Sequence, residues 1–112
     1  MQTSYFAKSA KDPNAVSVSI GPPSWFKGRQ YPKLAPSWDL VKSYKNGKLT
    51  QAQYEARYKA EVLDKLNPKI VFEELGENAI LLCWEKSNEF CHRHLISKWL
   101  SDILNCEIKE KE

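Results

Sequence analysis

The stretch that most constrains the fold is AILLCW, at residues 79–84, because all six of its side chains are apolar. A strand buried on both faces, as in a parallel sheet covered by helices, has such a continuous apolar run. The run is far shorter than the about 20 apolar residues that a membrane-spanning helix needs. We therefore predict that residues 79–84 form the central strand of an α/β domain.

Two further strands are predicted near the start of the chain. TSYFA, at residues 3–7, is rich in β-branched and aromatic side chains, and AVSVSI, at residues 15–20, alternates apolar with small polar residues. The seven residues between them are fewer than a parallel crossover normally needs. Either they contain a tight helical turn or the two strands are antiparallel. Residues 106–108 are predicted to add a short edge strand.

Cap residues indicate the helices. Thr50 and Gln53 form a capping box, while Asn67 as N-cap and Pro68 at the first helical position begin another helix. The predicted helices are residues 38–45 after Ser37, residues 51 to about 66, residues 68–75, and a long last helix capped by Ser87 or Asn88. We expect a small, three- to four-stranded, mainly parallel sheet with helices packed on it, a Rossmann-like three-layer fold.

The size and charge of the chain limit the classes of protein to which it can belong. Its 112 residues fit a single α/β domain at 1–112, with residues 106–112 as a frayed tail. A net charge of +3 permits an anionic partner without requiring one. Three cysteines and no recognisable secretion signal predict free thiols, a cytoplasmic protein and no membrane contact.

Residues 21–36 are predicted to be a long loop without regular structure, because they include four prolines and two glycines. Loops of this length are often functional. Trp25 and Phe26 stand close to Arg29, and aromatic side chains among cations are typical of single-stranded nucleic-acid contacts. Equally, these aromatic side chains could fix the loop to the core.

The turn after the central strand holds the candidate site. Ligands of open α/β sheets bind beyond the carboxyl ends of the strands. Cys83 closes the strand, and Cys91 is predicted in the first turn of the next helix, whose N-terminus favours an anion. Arg93 could bind the same anion through a bidentate fork, and His92 could donate or accept a proton.

Three functional interpretations compete with a purely structural one. The cluster could bind a phosphate through Arg93, His92 and helix amides. Cys91 could be a thiolate nucleophile with His92 or His94 as base. Cys83, Cys91 and a histidine could bind a metal, although only one loop supplies these ligands. We assign no metal ligand and expect no cofactor.

The candidate residues fall into two groups. The catalytic candidates are Cys91, His92 and Arg93. The ligand-binding candidates are Thr3, Ser4, Tyr5, Arg29, Cys83, Trp84 and Glu85. For Glu85 we expect pairing with Arg93 rather than acid–base chemistry.

Four segments carry a family resemblance. TSYFAK, LAPSWDLVKSYKNGKLT, YEARYKAEVL and ILLCWEKSNEFCHRHLISKWL occur in this order. Together they resemble the YeaO-like family (domain of unknown function 488), especially its short bacterial and phage members, in which a strand ends in Cys and a helix starts Cys-His-Arg. The resemblance implies a fold and a site, and a nucleotide or nucleic acid as partner, without implying a reaction.

Two functions therefore follow from the sequence. One is a phosphate- or anion-binding site at a helix N-terminus, in a protein that acts on a nucleotide or nucleic acid. The alternative is a non-catalytic interaction or accessory module, of phage or host, in which the Cys-His-Arg cluster is structural. The sequence leaves open whether the protein is an enzyme, and it leaves the oligomeric state open.

Overall fold

The computed structural model describes residues 1–85 and 90–112. Five parallel strands form one sheet in the order β3-β2-β4-β1-β5. The strands are β1 (Gln2–Tyr5), β2 (Ala15–Ser17), β3 (Arg29–Gln30), β4 (Ile80–Cys83) and β5 (Lys109–Glu110). The helices are α1 (Phe6–Ser9), α2 (Trp38–Lys45), α3 (Gln51–Glu61), α4 (Pro68–Leu75) and α5 (His92–Leu104). The predicted three-layer α/β fold is confirmed.

The apolar run is the middle strand of the sheet, as predicted. All four residues of β4 are buried, and the strand pairs with β1 on one side and β2 on the other. Val16 and Leu81 are register partners and belong to the larger core, which α3, α4 and α5 cover. Ile80 and Leu82 point to the opposite face, where Phe6 completes a smaller core.

A tight helical turn joins the first two strands, which was one of the two predicted alternatives. Helix α1 starts directly after β1 and spans four residues. β1 and β2 each pair in parallel with β4, which lies between them. The short connection is sufficient because β1 and β2 have only four and three residues, so the chain has little strand length to retrace between them.

The long loop contains more regular structure than we predicted. β3 pairs with β2, Val16 opposite Arg29, and a 3-10 turn follows at Pro32–Leu34. Phe26 is buried against Phe6, with 5.2 Å between ring centroids, whereas Trp25 is half exposed. Phe26 therefore fixes the loop to the core.

The C-terminal segment differs from the frayed tail that we expected. The edge strand lies at Lys109–Glu110, beyond the predicted residues 106–108, and pairs with Gln2 and Thr3 of β1. A two-residue strand has no alternating pattern to detect. Strand β3 in the long loop is the additional strand that gives the sheet five strands rather than the three or four that the sequence indicated.

The predicted caps are present at three helices. The Ser37 side chain accepts from the Leu40 amide at the start of α2, and Thr50 and Gln53 form the capping box of α3. Asn67 caps α4. Helix α3 ends at Glu61, earlier than predicted, and a 3-10 turn at Leu63–Lys65 follows.

The start of α5 also differs from the prediction. The helix begins at His92 with Cys91 as its N-cap, so Cys91 precedes the first turn rather than lying in it. The predicted caps, Ser87 and Asn88, lie outside the described residues. Among the helices described for residues 1–85 and 90–112, none is long and apolar enough to cross a membrane.

Candidate functional site

The carboxyl end of β4 and the N-terminus of α5 bring two cysteines together. Cys83 and Cys91, eight positions apart, form a disulfide and are 1% and 4% exposed. The prediction of free thiols is therefore wrong for this pair, while Cys106 is free and exposed. Reasoning from the cellular compartment could not detect the pair, because the strand–turn–helix geometry creates it.

His92 is buried beside the disulfide as a neutral imidazole. Its Nε2 lies 2.7 Å from the carbonyl oxygen of Val18, and its Nδ1 lies 3.6 Å from Cys91 Sγ. Because a carbonyl oxygen only accepts, Nε2 carries the hydrogen and Nδ1 presents a lone pair to the sulfur. Burial, followed by the nearby Arg93 charge, lowers the His92 pKa to about 4, against the raising effect of the Val18 hydrogen bond.

Arg93 is fully buried and internally paired. Its Nε and Nη2 donate to the two carboxylate oxygens of Glu110 at 3.1 and 2.8 Å. Its Nη1 donates to Cys83 Sγ at 2.9 Å and to the backbone carbonyl of Glu85 at 2.7 Å. The Tyr5 ring lies 5.9 Å from the guanidinium carbon. Arg93 therefore joins the ends of β4, α5 and β5, and its donors face protein groups.

Arg93 contacts the backbone carbonyl of Glu85, but the expected pairing with the Glu85 carboxylate is wrong. The Glu85 carboxylate lies 4.0 Å from Lys45 Nζ instead, and Glu110 supplies the carboxylate that pairs with Arg93. Glu110 stands in the charged ending KEKE, which reads as solvated from sequence. No local pattern could have identified it as the partner of a buried arginine.

A cavity of about 120 Å³ lies beside the disulfide. Cys83, Cys91 and His92 form its inner end. Its aromatic wall consists of Trp38, Tyr44, Tyr54, Trp84 and Phe90. Ser19, Gly21, Lys45 and Glu85 are also among its lining residues.

Ring-to-ring contacts hold the aromatic wall in place. Phe90 lies 5.4 Å from Tyr44 and 5.2 Å from Tyr54, both with edge-to-face geometry. The Trp84 indole donates to the Gly21 carbonyl oxygen at 2.7 Å and stays 52% exposed. Burial, followed by the charge of Glu85, raises the pKa of Tyr54, so its hydroxyl remains protonated.

The ligand-binding candidates on β1 do not line the cavity, and their side chains contact other protein groups at the end of the sheet. The Thr3 hydroxyl donates to the Glu110 carboxylate at 2.6 Å, and the Ser4 hydroxyl pairs with that of Ser9 at 2.7 Å. Tyr5 contacts the Arg93 guanidinium. All three therefore hold the sheet end together.

Arg29 lies at another part of the molecule. Its guanidinium donates to the carbonyl oxygens of Glu74 and Leu75, at the end of α4, each at 3.0 Å. The structure thus unites Cys83, Cys91 and His92 with Trp84 and Glu85 at one cavity, and it separates Arg29 from them.

Sequence reasoning missed most of the aromatic wall. The four-residue spacing of Tyr54 and Tyr58 indicates only a shared helix face, and Tyr58 is a core residue whose hydroxyl donates to the Leu34 carbonyl oxygen at 2.7 Å. Trp38, the first residue of α2, stands in the sequence only as a residue that follows the Ser37 cap. Four-residue spacing shows that tyrosines share a face, but it cannot show that Phe90 from a distant segment packs against them.

A comparison with protein families gives one result. The model described as "DUF488-N3a: Active DUF488-N3 subclade" matches residues 8–104, a range that includes the disulfide and the whole cavity wall but ends before Glu110. Curated proteins and solved structures yield no significant match. The chain therefore belongs to the DUF488-N3a family, the subclade of DUF488-N3 described as active.

Proposed function

We propose that this protein binds a nucleotide, or a base of a nucleic acid, in the aromatic cavity and acts on it there. One observation carries the proposal: an aromatic-walled cavity opens onto both the Cys83–Cys91 pair and the N-terminus of α5. Once the disulfide is reduced, the Cys91 thiol and His92 would be the catalytic groups, whereas Arg93 would be a positioning residue.

The dimensions and the wall of the cavity favour a flat ring. The cavity, at 120 Å³, is somewhat smaller than an engineered cavity of about 150 Å³ that accepts benzene, so it would take a single ring of a base and leave the sugar and phosphate outside. Bases stack on aromatic side chains whatever their sequence. Trp38 and Trp84 are both about half exposed, so their rings are available to an incoming base.

The phosphate of such a ligand would lie at the start of α5. This helix has 13 residues, and its first turn contains no acidic side chain that could offset the positive end of its dipole. Lys45, which is largely exposed at the cavity and lies 4.0 Å from the Glu85 carboxylate, would turn from that carboxylate to the phosphate. The anion would therefore contact helix amides and Lys45 instead of the enclosed Arg93.

The family description supports an activity without naming one, because it calls the subclade active. We extend the resemblance to the YeaO-like proteins, with their Cys-His-Arg helix start, only as part of this proposal. In this chain the Cys-His-Arg sequence places a sulfur and an imidazole against the cavity and directs the guanidinium to the opposite side.

The test compares two tryptophans of equal exposure. Trp38 and Trp25 are both 55% exposed, but only Trp38 lines the cavity. Binding of nucleoside monophosphates and short single-stranded oligonucleotides is measured by titration calorimetry in the presence of EDTA. Stacking is worth about 1–3 kcal/mol per base, so Trp38→Ala should weaken binding about 5- to 150-fold.

Trp25→Ala is the matched control and should leave the affinity unchanged. The proposal fails if the wild-type protein binds no member of the panel, or if both substitutions weaken binding equally. Either result would show that the cavity is not the site of base recognition.

The second candidate is a non-catalytic interaction module, favoured by the internal role of Arg93. Because Arg93 joins three elements of the fold, its structural role alone explains its presence, without a bound ligand. Three half-exposed tryptophans, Trp25, Trp38 and Trp84, would then contact a protein partner. Absence of nucleotide binding together with unfolding of Arg93→Ala would favour this module.

A further inference from the structure

Three potential metal-binding side chains converge at the inner end of the cavity. The ligand atoms of Cys83, Cys91 and His92 all lie within 4.8 Å of one another, and all three residues are buried. Strand β4 supplies one, the N-cap of α5 supplies the second and its first turn the third. Thiolates and imidazole are the ligands that zinc prefers.

The distance between the Cys91 and His92 ligand atoms agrees with tetrahedral coordination. Zinc–sulfur and zinc–nitrogen bonds of about 2.3 and 2.0–2.1 Å place the two ligand atoms roughly 3.6 Å apart. The separation of Cys91 Sγ and His92 Nδ1 is 3.6 Å. The Cα atoms of the cysteines are 7.2 Å apart, beyond the about 4.4–6.8 Å usual for a disulfide. Once reduced, their sulfurs therefore have room to admit a metal ion between them.

The surrounding hydrogen bonds are those of a prepared metal site. The His92 Nε2–H donates to the Val18 carbonyl, which directs the Nδ1 lone pair toward Cys91. Metal-bound histidines almost always donate their second nitrogen in this way. The Arg93 Nη1–H reaches Cys83 Sγ at 2.9 Å and would stabilise a thiolate there.

The fourth coordination position would face the ligand cavity. Cys83, Cys91 and His92 all line it, so a water molecule or a substrate atom could complete the tetrahedron from that side. Three protein ligands and one open position are typical of catalytic zinc, including Cys₂His sites. Two thiolates and a neutral imidazole also balance the charge of a divalent cation.

We propose that the reduced protein binds one zinc-like divalent cation through Cys83, Cys91 and His92, with its fourth position open to the cavity. A dithiol reductant would open the disulfide, becoming a disulfide itself and leaving two protein thiols. Cation binding then releases the two thiol protons. The site shares its cavity with the proposed function but stands on ligand geometry alone.

The test uses the full chain and Co²⁺ as the probe, without any nucleotide. A water-soluble phosphine reduces the disulfide to two thiols and becomes the phosphine oxide with the oxygen of one water molecule. The reduced protein should bind one Co²⁺ with sulfur-to-cobalt charge-transfer and tetrahedral absorption bands, which Zn²⁺ abolishes. The oxidised protein should show neither band.

Cysteine substitutions locate the ligands. Cys91→Ser should weaken Co²⁺ binding by more than the about 10- to 100-fold typical of losing an outer-shell partner. Cys106→Ser, at the exposed free cysteine, should bind as the wild type does. Circular dichroism checks that each variant is folded.

Two results would overturn the metal site. One is reduced wild-type protein that develops no charge-transfer band in excess Co²⁺, a result that depends on no substitution. The other is equal loss of the band in Cys91→Ser and Cys106→Ser. Since nucleotide binding is measured with EDTA and cation binding without nucleotide, either proposal can fail while the other stands.

Discussion

At the scale of single residues, Arg93 shows how a functional-looking motif serves the fold. Its side chain is fully buried, and it donates to Glu110, to a cysteine sulfur and to a backbone carbonyl. A buried charge is tolerated only when it is paired and hydrogen-bonded. The pair with Glu110 therefore matters more to stability than a surface salt bridge would.

We expect Glu110→Ala to destabilise the protein by about 3 kcal/mol, because removing one partner leaves a buried charge without compensation. Urea denaturation measures the change. The control is Glu107→Ala, whose carboxylate is 75% exposed beside Lys109 and whose loss should change the free energy of unfolding by less than about 0.5 kcal/mol. Equal effects of the two substitutions would contradict the role of this pair.

The cysteines give a second prediction at this scale. In denaturant without reductant, a thiol reagent should modify one thiol per chain, at Cys106, because Cys83 and Cys91 are joined. After reduction it should modify all three. Cys106→Ser should give no reaction before reduction. Three reactive thiols in the unreduced protein would show that the disulfide does not form.

At the scale of elements, the features that depend on residues close in sequence, such as helix caps, could be predicted. The caps at Ser37, Thr50 and Asn67 were identified correctly, because each contact spans two or three positions. β3 was missed and the C-terminal edge strand was placed at residues 106–108 instead of Lys109–Glu110, because strands of two residues leave no periodicity to detect. Contacts between residues close in sequence could therefore be predicted, whereas contacts between residues far apart in sequence could not.

The capping box of α3 permits a direct measurement. Thr50→Ala should destabilise the protein by about 1 kcal/mol, because the Gln53 amide loses its acceptor. Gln51→Ala, at the exposed next position, should be nearly neutral and serves as the control. A Thr50→Ala variant as stable as Gln51→Ala in chemical denaturation would show that this cap contributes nothing.

At the scale of the whole molecule, the disulfide links the central strand to the helix that covers it. A cross-link between residues eight positions apart lowers the conformational entropy of the unfolded chain. It thereby raises the free energy of unfolding by about 2–3 kcal/mol. We expect phosphine reduction in the presence of EDTA to lower the melting temperature by about 10 °C. The measurement is thermal unfolding followed by circular dichroism.

The double variant Cys83→Ser/Cys91→Ser tests whether this effect belongs to the disulfide. Its melting temperature should not respond to phosphine, whereas Cys106→Ser should respond as the wild type does. A response of the double variant as large as that of the wild type would assign the effect to some other action of the reductant.

The candidate site was predictable in part. The proximity of Cys83, Cys91 and His92 could be predicted, because they border a strand and a helix whose ends must meet. The sequence could not identify the partners of Arg93 or the wall that Tyr54 and Phe90 form, because tertiary packing creates them. Ligand spacing in the sequence also does not show that the ligand atoms of Cys83, Cys91 and His92 lie within 4.8 Å of one another.

The strand order has a consequence for synthesis on the ribosome. β1 pairs with β4 and β5, so its nearest pairing partner follows 78 residues later, Ile80 opposite Gln2. A nascent chain that ends before residue 80 exposes β1 without a neighbour. The neighbouring strands β2 and β3 can pair earlier, whereas we expect β1 to gain its neighbours only after β4 has left the exit tunnel.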